Sequence, residues 1–71
     1  MTIQEFMNLK IDDIVSPRFQ ENEYFRIDDT EVFGEKPKVC SGIQIESVEQ
    51  RYIRIDIGNC GFWNLVGRIK K

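Results

Sequence analysis

The sequence predicts a mainly β fold: a small antiparallel five-stranded barrel or curled sheet with one short helix at the N-terminus. Three observations carry this. Residues 42–58, GIQIESVEQRYIRIDIG, hold two period-2 runs in succession, Ile43, Ile45 and Ser47 on one side and then Ile53, Ile55 and Ile57. Ten of the 71 residues are isoleucine and none is alanine, so β-branched side chains dominate and the best helix former is missing. Turn signals recur at strand-sized spacings along the chain. The length fits one domain, 1–71, near the small end of what folds alone, and 22 Ile, Val, Leu and Phe residues are enough for a core. Curling such a sheet removes its edges.

The elements follow in order. Thr2-Ile3-Gln4-Glu5 fits a capping box, with Thr2 capping a first turn and Glu5 reaching back to it. Ile3, Phe6 and Met7 follow at helical spacing, which predicts one short helix to about Leu9 or Lys10. Ile14 and Val15 open a strand, and Pro17, which cannot donate to a ladder, marks its edge, bulge or end. Residues 20–23 are polar loop. Residues 24–28 read as a strand with Phe25 and Ile27 inward and Tyr24, Arg26 and Asp28 outward. Asp28-Asp29-Thr30 is turn chemistry. Val32-Phe33 is a brief apolar patch ended by Gly34, and residues 35–38 form a charged loop. After the central hairpin, residues 58–61 turn. Residues 62–69 read as a short strand, a bulge or helical turn near 64–66, and a closing strand.

A one-residue slip moves a whole row of side chains to the other face, so the hairpin register has to keep the isoleucine rows together. Residue sums of 100 do this. They set Ile43 opposite Ile57, Ile45 opposite Ile55, Glu46 opposite Arg54 and Val48 beside Tyr52, with a loop at residues 49–51. Extended outward, the same register pairs Gly42 with Gly58 and Cys40 with Cys60. Two readings of these thiols stay open: reduced cysteines near a strand end, or a cross-strand disulfide under oxidising conditions.

Leu9-Lys10-Ile11-Asp12-Asp13-Ile14-Val15 resembles the hydrophobic-Gly-Asp-x-Val opening strand of small SH3-like barrels, with Asp12 at the glycine position. Gly61-Phe62-Trp63-Asn64-Leu65 resembles the aromatic segment before their last strand. The resemblance implies a five-stranded SH3-like barrel of the kind common in phage and mobile-element proteins, acting as a binding module for peptides, nucleic acids or partner proteins.

Most catalytic chemistry is absent from the sequence. With no histidine, neither serine–histidine nor cysteine–histidine nucleophiles are available, and two cysteines alone cannot make a four-ligand structural zinc site. No Gly-rich phosphate loop, calcium loop or C-x-x-C is present. Asp12-Asp13 and Asp28-Asp29 are adjacent pairs, which in a strand point to opposite faces. The expectation is a non-enzyme with no metal and no cofactor. No apolar run reaches membrane-spanning length and no basic-then-apolar leader opens the chain, which points to a cytoplasmic protein.

The net charge of −2 hides an asymmetry. Residues 1–35 carry nine acids and three bases (−6), and residues 36–71 three acids and seven bases (+4). One reading is attraction between the halves within the fold; the other is a charged docking patch. The candidate binding residues are Tyr24, Arg26, Tyr52, Arg54 and Trp63, types enriched at interface hot spots. Glu21, Glu23, Asp28, Asp29, Glu31 and Glu35 form the candidate acidic surface. The function expected is protein binding, as a small regulator or inhibitor. The alternative is a nucleic-acid-binding accessory protein using the basic second half, with Tyr52 and Trp63 as stacking surfaces. A sequence pI near 5.0 weighs against that alternative. Monomer and homodimer, the latter through a strand edge, both stay open.

Overall fold

The structure is a computed structural model, and it describes residues 1–20, 22–32, 38–46 and 49–68. A helix, α1 (Ile3–Met7), is followed by strands β1 (Asp13–Pro17), β2 (Phe25–Val32), β3 (Lys38–Gln44) and β4 (Tyr52–Ile55), a 3₁₀ turn at Cys60–Phe62, and β5 (Trp63–Arg68). The five strands form one antiparallel sheet in the order β4-β3-β2-β1-β5. The mainly β, five-stranded expectation holds. The sheet is open and not closed into a barrel: β4 and β5 remain its edges.

Both edges carry a partial block. The Asn59 amide donates to the Arg54 carbonyl at 3.1 Å, on the side of β4 away from β3. The amino group of Met1 donates to the carbonyls of Cys60 and Trp63 at the start of β5. A bulge between Ile14 and Val15, opposite Val66, further bends the β1–β5 pair. Blocks and bulges of this kind limit strand addition at an exposed edge.

The helix forms where the capping box predicts. Thr2 Oγ1 accepts from the Glu5 N–H at 3.1 Å, and Glu5 Oε1 accepts from the Thr2 N–H at 2.9 Å. Of the predicted apolar face only Phe6 is buried; Ile3 and Met7 are exposed, and Leu9, just past the helix, is the second residue driven into the core. α1 has no basic residue in its last turn. Lys38 supplies one from β3: its Nζ donates to the carbonyls of Met7 (2.8 Å) and Leu9 (2.7 Å) and lies 5.7 Å from the centre of the Phe6 ring. Lys38 is therefore a buried strand residue, where the sequence reads as charged loop.

Phe6, Leu9, Val15, Phe25, Ile27, Cys40, Ile55 and Cys60 form the core, with Met1, Ile53 and Trp63 packed against it. Every strand contributes, and α1 and the 3₁₀ turn cover this one face of the sheet. Burying each of the larger side chains contributes about 1.5–3 kcal/mol.

The hairpin register departs from the expected one. Cys40 pairs with Ile55, Ser41 with Arg54, Gly42 with Ile53 and Ile43 with Tyr52. The pairs Ile45–Ile55, Glu46–Arg54, Ile43–Ile57, Gly42–Gly58 and Cys40–Cys60 do not form, and Val48 lies outside the described residues. Gly42 explains the difference. A Cβ there would sit 3.0 Å from the Arg26 carbonyl oxygen and 3.2 Å from Ile53 Cγ1, so Ile53 packs onto the glycine itself. β3 also stops early. The Ile45 N–H donates to the Tyr24 carbonyl at 2.8 Å, and Glu46 takes the left-handed backbone, φ 60°. The two isoleucine rows thus lie on opposite faces, Ile53 and Ile55 toward the core and Ile43 away from it. Both cysteines are free thiols, Cys40 beside Ile55 in the core and Cys60 in the 3₁₀ turn. Burial pushes the Cys40 thiol up from its ordinary range.

β2 is longer than predicted. The expected turn at Asp28-Asp29-Thr30 lies inside it, where the β2–β3 register shifts: Ile27 pairs with Gly42 and Asp29 with Ser41, so Asp28 is the extra residue. Asp12 has φ 76°, the left-handed conformation in which glycine is at ease.

Candidate binding face

The second face of the sheet carries no helix among the described residues. Opposed residues in a sheet project to the same side, so the register builds this face row by row. One row runs Ile14–Arg26–Ile43–Tyr52 across β1, β2, β3 and β4. The next runs Asp29–Ser41–Arg54 across β2, β3 and β4. Beyond it Glu31 pairs with Val39. Asp29, Glu31, Val39, Ser41 and Arg54 together line a concave groove of ≈190 Å³.

Tyr24, Arg26, Tyr52 and Arg54 therefore belong to one face, around Ile43. Tyr52 is 67 % exposed, and its hydroxyl donates to Gln50 Oε1 at 3.2 Å. Tyr24 is 43 % exposed. Arg26 sits 3.9 Å from Asp12. The fifth candidate, Trp63, is elsewhere: it is half-buried on the core side and meets Phe25 edge to face, centroids 5.6 Å apart.

The six acids divide. Asp29 and Glu31 line the groove, and Asp28 is exposed at the bulge beside them. Glu23 lies before β2 and pairs with Arg51 at 2.9 Å. Glu21 and Glu35 lie outside the described residues. Groove and flank thus alternate in charge, with carboxylates on β2 and a guanidinium on β4. The chain's charge asymmetry appears in the same form. β1 and β2, from the acidic half, are central, and β3, β4 and β5, from the basic half, flank them on both sides.

One exposed feature has no counterpart in the sequence reading. Phe19 is 79 % exposed and Phe62 57 %, and their rings meet at 6.3 Å where the Arg18 N–H donates to the Phe62 carbonyl. Phe19 also walls a concavity of ≈560 Å³ with Arg18, Gln20, Asn22 and Glu23. The signal available was a phenylalanine in an otherwise polar stretch. Among the described residues, no three His, Cys, Asp or Glu side chains gather as a metal site, and no helix is long and apolar enough to cross a membrane.

No protein-family model matches this chain, and no curated protein or solved structure does either.

Proposed function

We propose that this chain is a non-enzymatic protein-binding module, a small cytoplasmic regulator or inhibitor, and that it binds through the helix-free face of its sheet. The observation that carries the reading is the convergence of Tyr24, Arg26, Tyr52 and Arg54 around Ile43 on that face. An aromatic and guanidinium cluster about an aliphatic centre is the composition of an interface hot spot. Strands hold it, and the blocked edges leave the face as the broad accessible surface.

The same geometry weakens the nucleic-acid alternative. Arg26 and Arg51 stand beside Asp12 and Glu23, and Arg54 shares its groove with Asp29 and Glu31. Phosphate recognition needs cations that displace counterions, without carboxylates between them. Trp63, the expected stacking surface, is engaged with Phe25.

The test is cross-linking with mass-spectrometric mapping of partners captured from the native host by wild type, Tyr52→Ala and Arg54→Ala. The reading expects cross-links concentrated on β2–β4 and lost in both variants. Capture that is indifferent to both substitutions would refute it. A gel shift that is steep in salt, with either DNA or RNA, would move the function to the alternative.

A further inference from the structure

We infer that the partner this face is built to meet is a second copy of the same chain, the two sheets packing face to face about a two-fold axis along β3. The inference rests on the binding-face reading above and names the occupant of that face. It comes from the order of residues within each row. In one row Arg26 lies on β2, Ile43 on β3 and Tyr52 on β4. In the next, Asp29 lies on β2, Ser41 on β3 and Arg54 on β4.

An axis along β3, in the plane of contact, carries β2 of one copy over β4 of the other and leaves each row at its own height. Asp29 then meets Arg54 of the second copy, and Arg54 meets its Asp29. Arg26 meets Tyr52 of the second copy, a guanidinium over an aromatic ring. Ile43 meets Ile43 on the axis. Each row is thus complementary to itself under this rotation. An isologous dimer requires that property of a surface, and it uses every contact off the axis twice. A rotation about an axis perpendicular to the strands would instead set Arg26 against Asp29, Tyr52 against Arg54 and Ile43 against Ser41, losing the apolar contact on the axis and the Asp29–Arg54 contact.

Sheets pack face to face with strand directions within about 30° of each other, a geometry that a two-fold along the mean strand direction permits. The face is modest. Three strands about 4.8 Å apart and six residues rising about 3.4 Å each give a patch of roughly 10–15 by 20 Å. Two such patches amount to roughly 400–600 Å² in projection, below the about 1,200 Å² at which standard specific interfaces begin. The dimer is therefore weak, concentration-dependent and sensitive to salt, since two of its polar contacts are ion pairs near solvent.

Sedimentation equilibrium of the full chain at low and high salt tests this, using wild type, Asp29→Arg and Arg54→Asp. Wild type is expected to dimerise as concentration rises, with weaker association at high salt. Each single reversal places like charges at both symmetry-related contacts, and the dissociation constant should rise on the order of tenfold or more. An equimolar mixture of the two variants should dimerise again, because each mixed pair restores Arg opposite Asp at both contacts. That rescue also shows that both variants are folded. A wild type monomeric at every concentration overturns the proposal. So does a dimer unaffected by the reversals, which would be a dimer through another surface, and so does a mixture that stays monomeric. If wild type is monomeric while Tyr52→Ala still abolishes partner capture, self-pairing falls and the binding face stands.

Discussion

The two faces of this sheet are built by the same strands for opposite ends. β4 shows it in four residues: Ile53 and Ile55 turn to the core, while Tyr52 and Arg54 turn to the open face. The core face is closed by α1 and the 3₁₀ turn, and its side chains are buried to within a few per cent. The open face keeps Tyr52 and Arg54 in solvent, leaves Arg26 and Ile43 half-buried, and sets charges of opposite sign at the two ends of the Asp29–Ser41–Arg54 row. Candidate binding residues are thus positioned by strands whose other side is fixed by packing. The two faces should consequently respond to mutation independently, one through stability and the other through association.

The largest effect is expected in the core. Phe25 is fully buried and carries the edge-to-face contact with Trp63. Phe25→Ala should cost about 3–5 kcal/mol in chemical denaturation. For a domain this small, that is enough to populate the unfolded state in water. Gly42→Val comes next. Its Cβ alone falls against the Arg26 carbonyl and Ile53, so overpacking of about 1–3 kcal/mol is expected. A Gly42→Val variant as stable as wild type would show that the β3–β4 register is not the one described. Lys38→Met keeps the aliphatic stem but leaves two helix-end carbonyls without their donor; about 1–3 kcal/mol should be lost.

How much of this was legible in the sequence depends on what set each feature. The capping box, the five strands, the end of β1 at Pro17 and the irregularity near Val66 follow from local rules, and the structure keeps them. The inward and outward residues of the first half of β2, and of β4 at Tyr52 and Arg54, follow from period 2. The hairpin register does not. Period 2 leaves two faces equivalent until something larger than the hairpin chooses between them. Here that was β2: the Arg26 carbonyl closes against Gly42, where Ile53 packs, and the Tyr24 carbonyl accepts from the Ile45 N–H. Barrel closure was likewise invisible, because it depends on what occupies the edges: Asn59 at β4 and the Met1 amino group at β5. Lys38 read as loop because a lysine beside a proline is polar in pattern, yet its ammonium is held by the carbonyls of Met7 and Leu9, 31 and 29 residues earlier. The four residues that share the open face were each identifiable by type, but their convergence needed the register of β3 between them.

The open face gives a smaller response. Tyr52→Ala and Arg54→Ala should each change stability by no more than about 0.5 kcal/mol, as exposed positions do, and unfolding midpoints beside those of the core variants will show whether the faces separate. A loss comparable to Lys38→Met would mean that the open face is also structural. The thiols give a related readout of burial. Cys40 and Cys60 should both resist alkylation in the folded protein and both react on unfolding, with Cys40 the slower because its thiolate is disfavoured by desolvation.

The smallest effect belongs to the cover of the core face, the capping box of α1. The backbone N–H of Thr2 holds the Glu5 carboxyl below its ordinary value of 4.5, with the Thr2 hydroxyl adding to the effect and desolvation opposing it. A depressed folded-state value means that this contribution to stability is present above the unfolded value and is lost as pH falls through the folded one. Carboxyl titration by NMR should accordingly find the Glu5 midpoint below 4.5 in the folded chain. The substitutions at residue 2 separate the causes. Thr2→Ala keeps the N–H and should leave Glu5 still depressed, though less so. Thr2→Pro removes the N–H, and the midpoint should return toward the ordinary value. A wild-type midpoint at or above that value would mean that the box is not closed in solution. α1 would then cover the core through Phe6, Leu9 and Lys38 alone, and the contrast between a sealed face and an open one would rest on packing without help from the helix's own end.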